Sequence, residues 1–467
     1  MAESLHAKIE REREAALPEA AALAVFRNYA QGKQDQPLSA DQKRHLAGLT
    51  KHRFADNVCH KVLAIGASRL ELTGFAVDNQ AVQTFLADLW TKTHLADLQY
   101  DIHYATLRDG NHAALLGWRV AEGLDGDGNE IQTGRVVIQR ERWWDGASGM
   151  FVAYGDDGRP AYAVKEWEVV GESKRSTKRR TVYLPDHIER YVQEGQGWRP
   201  FPLEGEDATG IVPWVKKDGS PLGIPIVHFA NGSDDDAPYG VSDLDGGVIG
   251  LQDQINDLHW DIVAAARMAG YQMYTATGVP AEKNADGSSK PLRVGPGFLL
   301  RTDNPNGRFG VLQAGDMSQL IATLRMKVRT VAANTMTPEH DIGGGEWPSG
   351  VALLRADMPA VVKAERGARS LGPTWETAMH RGTEIANAYG SERLDEDALI
   401  TAEFADPARL DALAKAEVEK VELANLAALQ LIDDPVLLRL SGLLTEEQIT
   451  EMTADRTARA AVAVAEF

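Results

Sequence analysis

The chain has 467 residues, 43% of them hydrophobic and 25% charged, with a formal charge of −19 and one cysteine. That length suffices for roughly two to four domains, and the single Cys59 excludes an internal disulfide framework and a paired-cysteine zinc site. The acidic surplus excludes a protein that grips nucleic acid through a broad basic surface, because phosphate affinity comes from Lys and Arg displacing counterions.

An acidic surplus also keeps a protein soluble, and it suits a wall past which DNA must slide without sticking. The charged stretch 1–14 lacks the apolar core of a signal peptide, and no apolar run is long enough to span a bilayer. The expectation is a soluble chain, cytoplasmic where it is made.

Apolar periodicity predicts mostly helix over the first ~115 residues. Ser39 and Gln42 have the spacing of a capping box. A helix beginning at Val82 places Val82, Phe85, Leu86 and Leu89 on one face. From Leu115 the pattern changes to short strand-like runs such as 135–139 and 151–154. Asp125, Asp127 and Asn129 imitate a calcium loop, but Glu130 stands where that loop needs glycine and Val136 where it needs the closing glutamate, so a hairpin tip is expected. The basic run 172–180 falls between strand-like segments 162–170 and 181–184 and is expected in an exposed loop.

A helix is expected over 239–270. Val248, Leu251, Ile255, Leu258 and Ile262 alternate spacings of three and four, the seam a helix offers to a neighbour, while Asp253, Asp257 and Asp261 form an acidic stripe. A Gly- and Pro-rich, strand-like insertion follows over 271–315, then a helix over 318–336 that stops at Pro338. His340, Gly343, Gly344, Gly345, Glu346 and Trp347 belong to a glycine-rich loop. A helical tract over 351–389 is expected to be kinked or divided by Pro359 and Pro373. A strand candidate at 399–404 and a closing Ala-, Leu- and Glu-rich helical stretch complete the chain.

No catalytic motif is present: there is no phosphate-binding Gly-Lys-Ser/Thr loop, no His-Glu-x-x-His and no Gly-x-Ser-x-Gly. A metal-dependent hydrolase or nuclease would need convergent ligands, yet Asp234, Asp235 and Asp236 are consecutive and turn-like, and His103 and His112 are isolated. No catalytic, cofactor-binding or metal-ligating residues are assigned.

The words Pro238 to Leu244 and Val248 to Leu258 resemble the start of the stem helix in portal proteins of tailed double-stranded DNA phages, particularly those with long, non-contractile tails. Residues 182–191 resemble that family's β-rich wing, and 348–353 the start of the helix behind its tunnel loop. The colinear order of these pieces carries the likeness.

The resemblance implies an α+β portal fold with an α/β wing, long stem helices, a small β-rich clip and a helical crown. The wing would span 1–240, the stem helix 241–269, the clip 270–315, the second stem helix 316–336 and the tunnel loop 337–349. A wing return would occupy 350–405 and the crown 406–467. It further implies a ring of twelve copies at a virion vertex, with DNA in the hole and Asp253, Asp257 and Asp261 on its wall. Partners would be the major capsid protein, the terminase large subunit and head-completion proteins, with no membrane and no cofactor. The alternative is a head–tail adaptor without a channel.

Overall fold

The computed structural model describes residues 4–34, 56–124, 130–170, 176–195, 197–203, 206–232, 238–270, 273–278, 304–312, 317–343, 351–391 and 393–408. The chain divides into two compact units, Met1–Pro407 and Ala408–Phe467. The expected crown helices, the Ser39 capping box, Asp125 to Asn129, and Asp234 to Asp236 lie outside the described residues.

Helix α1 (Leu5–Ala30) begins at Ser4, whose side chain accepts from the Ala7 amide, and α2 (Val58–Ser68) begins at Asn57, which accepts from the His60 amide. Strand β1 (Leu72–Val77) follows, then α3 (Gln80–Lys92) and α4 (Leu95–Asp109). Asn79 caps α3 by accepting from the Ala81 and Val82 amides. Val82, Leu86 and Leu89 are buried and Phe85 packs against the same core, as the spacing requires.

The N-terminal region is less helical than its periodicity predicts. β1 is a strand, and β2 (Asn111–Leu124) starts immediately after α4. β1 pairs with a strand at the far end of the described chain, so the reason for its extended conformation is tertiary and local pattern does not reveal it.

β2 pairs antiparallel with β3 (Glu130–Glu141), with Leu124 opposite Glu130 across the expected hairpin. A second sheet runs in meander order through β4 (Gly149–Tyr154), β5 (Pro160–Val170), β6 (Ser176–Tyr183), β7 (His187–Glu194) and β8 (Gly197–Pro200), and β9 (Ile211–Pro213) pairs with β7. β10 (Ile226–Ala230) returns beside β2.

Helix α5 (Val248–Gly270) and helix α6 (Met317–Thr335) flank the two-stranded antiparallel pair β11 (Met273–Thr277) and β12 (Arg308–Leu312). The turn α7 (Glu339–Ile342), the long helix α8 (Val351–Tyr389) and β13 (Ile400–Phe404), which pairs with β1, complete the first unit. α8 runs through Pro359 and Pro373 undivided. An interior proline costs about 3 kcal/mol, but Ala364, Leu371, Trp375, Ala378, Met379 and Ile385 are buried along α8, and Trp375 donates to the His103 Nε2 at 2.9 Å. That packing keeps the two halves in one helix.

The basic run is not wholly in an exposed loop. Residues 176–180 lie in β6, and Arg180 is 1% exposed. Glu166 on β5, equally buried, accepts from Arg13 at 2.5 and 2.9 Å and from Arg180 at 2.7 Å, and pairs with Lys178 at 2.8 Å. Arg180 also reaches Glu10, while Arg13 and Arg180 lie over the rings of Trp144 and Trp198. This network fastens α1 to the sheet. Burial alone would raise the Glu166 pKa, but the charges of Arg13, Lys178 and Arg180 hold it below the usual range.

Replacing Glu166 with Ala leaves the buried Arg13 without its carboxylate and Arg180 with Glu10 alone. The expected loss is about 3–5 kcal/mol of unfolding free energy in urea titrations at pH 7. Because the folded pKa lies below the unfolded one, the wild-type advantage is full above the unfolded value. It disappears as pH falls through the folded value.

Candidate functional site

The segment before α5 is not helical: 238–247 is turn and loop, and α5 starts at Val248 rather than at Tyr239. Gly246 and Gly247 have φ of +65° and +91°, values outside the helical range. Upstream, the chain passes against Gly110 so closely that a Cβ at Gly240 would meet the Gly110 carbonyl oxygen at 2.4 Å and the Asn231 nitrogen at 2.3 Å. Two glycines make that crossing possible.

Polar bonds lock the crossing. Asn111 accepts from the Gly240 amide at 2.8 Å and donates to its carbonyl at 3.1 Å. The Asp243 amide donates to Leu107 O at 2.9 Å, the Ser242 hydroxyl donates to Arg108 O at 2.5 Å, and the Asn231 side chain donates to Val241 O and to Asp243. Tyr239 donates to Val152 O at 2.9 Å. His228 contacts Asn111 at 2.9 Å and Tyr154 at 2.7 Å, and burial depresses its pKa to about 3, so it is a neutral part of the joint.

α5 is anchored along one face. Val248 and Ile255 are buried and Leu251 packs against the core, while Leu258 and Ile262 are half-buried. Gln252 and Asn256, both buried, carry the polar part of the anchorage. Gln252 Oε1 accepts from the Val58 and Cys59 amides at 2.9 and 3.2 Å, so a side chain of α5 caps the N-terminus of α2. Its Nε2 donates to Asp56 O, and Asn256 Oδ1 accepts from the Asp56 amide. The sequence signal was present as two amides at i and i+4, but their partners lie nearly two hundred residues away.

The acidic stripe divides. Asp253 is half-buried and accepts from the Tyr29 hydroxyl at 2.6 Å, whereas Asp257 and Asp261 are exposed and form no ion pair among the described residues. The Asp257 pKa is raised by partial burial and by the charges of Asp253 and Asp261. The exposed pair therefore stores mutual repulsion.

Behind α6, His340 is buried and lies 3.4 Å from Asp357 and 3.6 Å from Asp341. Gly343 ends α7 with φ +92°, and Gly344, Gly345, Glu346 and Trp347 lie outside the described residues. His340, Asp341 and Asp357 each offer one ligand atom within 4.8 Å of the others, a set a divalent ion can use. Arg69 already supplies positive charge there, 3.1 Å from Asp357 and 3.9 Å from Asp341, so the two carboxylates have a cationic partner without an ion. His103 and His112 are both buried, with pKa values depressed by burial to about 4 and about 3.

The sequence model of the family described as "Phage portal protein, SPP1 Gp6-like" matches residues 145–455. Two solved structures are similar to the chain at low identity. One, "Virion of native gene transfer agent (GTA) particle", has a TM-score of 0.38 and 14% identity over 90% of this chain and 99% of that one. The other, "Neck of native GTA particle computed with C12 symmetry", has a TM-score of 0.40 and 13% identity over 87% and 93%. No curated protein sequence matches the chain.

Two outcomes test the anchorage and the stripe. Gln252→Ala is expected to cost about 1–3 kcal/mol, read by urea denaturation, with faster hydrogen exchange at the Val58 and Cys59 amides. Asp257→Asn is expected to raise Tm at pH 7. Since the folded pKa of Asp257 is raised, that gain shrinks as pH falls through it, and added salt also reduces it.

Proposed function

The chain belongs to the SPP1 Gp6-like phage portal family, and on that premise we propose that copies of it close into the ring through which DNA enters and leaves a capsid vertex. Twelve copies form the ring. α5 and α6 are its stem, 270–315 its clip and 337–349 its tunnel loop, with 1–240 and 350–405 forming the wing and 406–467 the crown. The ring seats in the major capsid protein, docks the terminase large subunit during packaging, and receives head-completion proteins afterwards.

One observation supports this reading above the others: α5 is bound to the body on one side and leaves Asp257 and Asp261 open on the other. Uncompensated carboxylates on a channel wall repel duplex phosphates, so DNA slides without forming the counterion-releasing contacts that would hold it. Asp253 contributes to the field from a position tied to Tyr29. Gly343 ends α7 and His340 lies within it; with Gly344, Gly345, Glu346 and Trp347 they are the tunnel-loop candidates. The family is structural, and no catalytic step is assigned.

Asp257→Lys with Asp261→Lys is expected to leave rings intact by mass while lowering packaged DNA per particle, measured by nuclease protection. Unchanged packaging in assembled mutant rings would show that the stripe is not a working channel wall.

A further inference from the structure

His340 and Asp341 on the short turn α7 meet Asp357 on the first turns of α8, with Arg69 just after α2 behind them. His340 is 7% exposed, and its Nε2 faces both carboxylates. Those carboxylates divide their oxygens in the same sense. Oδ2 of each turns to the Arg69 guanidinium, at 3.1 Å for Asp357 and 3.9 Å for Asp341. Oδ1 of each turns to His340 Nε2, at 3.4 Å for Asp357 and 3.6 Å for Asp341.

The Oδ1 side is not closed by a hydrogen bond. An N–H donating to a carboxylate oxygen draws the two atoms to about 2.7–3.2 Å, shorter than either distance here. Asp357 Oδ1 is buried and has no hydrogen-bond donor among the described residues, a costly state for a carboxylate oxygen. The spacing fits a shared ion instead. Two ligand atoms each about 2.1 Å from a tetrahedral zinc ion lie about 3.4 Å apart, and one ligand atom from each of the three residues falls within 4.8 Å of the others.

Charge also leaves room for a cation. Two carboxylates face one guanidinium, and Arg69 spends a second nitrogen on Pro407 O at 3.1 Å. Lys61, which also reaches α7, donates to Ile342 O at 3.5 Å and forms no ion pair among the described residues. Arg329 is taken by Glu339 at 2.6 Å. The side chains of Asp341 and Asp357 are 25% and 20% exposed, so an ion has a way in from solvent.

We propose that His340 Nε2, Asp341 and Asp357 bind one divalent transition-metal ion of the zinc class, with a fourth position open to water. An imidazole nitrogen among the ligands selects zinc over magnesium or calcium, which take oxygen ligands. Arg69 is then the outer partner that holds both ligating carboxylates by their other oxygens and fixes their orientation. The ion ties α7 to α8 at a single point. This inference stands on the placement of α2, α7 and α8 and does not depend on the ring reading, so either can fail without the other.

Titration calorimetry of the full chain, freed of metal with EDTA and dialysed, tests it with zinc alone as the probe. One zinc per chain is expected, with a rise in Tm on adding zinc. His340→Ala removes the nitrogen ligand, and Asp341→Asn alters a partly exposed ligand that the fold tolerates. Each is expected to weaken zinc binding by at least about tenfold and to lose the rise in Tm, while remaining folded in EDTA. Magnesium and calcium are expected to bind at least about tenfold more weakly than zinc. A wild-type chain with no stoichiometric zinc site, or a site that either variant retains at wild-type affinity, overturns the proposal. Equal affinity for magnesium or calcium overturns the choice of ion.

Discussion

The backbone crossing of Gly110 and Gly240 is the constraint on which the rest of the unit depends. At that point the chain leaving the β10 strand must turn against the α4–β2 junction before α5 can start, and there is no room for a Cβ on either glycine: at Gly110 it would meet the Gly240 oxygen at 2.7 Å. A substitution there would displace backbone, which is costly because the surrounding amides and carbonyls are already committed to one another. The direction of α5 follows from this joint.

Two further polar assemblies tie into it. Arg27 on α1 donates to Asp109 at 2.8 and 3.1 Å, to Asp145 at 2.9 Å and to Trp143 O at 3.0 Å, bringing α1, α4 and the β3–β4 connection to the residue beside Gly110. Burial opposes ionisation of Asp109, but Arg108 and Arg27 hold its pKa below the usual range. Gln252 and Asn256 then bind the first turns of α5 to the start of α2. Because these polar atoms are buried, a shifted helix would strand them without partners, so the network selects one placement of α5 rather than merely adding stability. The result is a helix fixed at its base and open on its acidic face.

Local pattern made much of this legible. The 3-4 spacing from Val248 to Ile262, the strand runs at 135–139 and 151–154, and the strand-like insertion between two helices are short-range signals, and they correspond to α5, β3, β4 and the β11–β12 pair. What was missed is long-range. β1 is extended because β13 pairs with it. Arg180 looked like one of several solvated cations because its carboxylate, Glu166, sits on another strand and its aromatic partner on a third. Pro359 and Pro373 were expected to kink or divide the tract, and they do not divide it because their cost is local while the burial that offsets it is tertiary. At the candidate site, the Asp spacing predicted a stripe of three; that Asp253 accepts from the Tyr29 hydroxyl was not legible, because no pattern within α5 could disclose a donor on α1.

The central claim is that this chain closes into a ring around DNA. The most direct measurement is single-particle imaging of the purified full-length protein together with its native mass. The account predicts closed rings of twelve subunits with a central hole and with Asp257 and Asp261 of α5 facing it. A protein that remains one or two subunits across salt and concentration, or rings whose holes are lined by other elements, would contradict it.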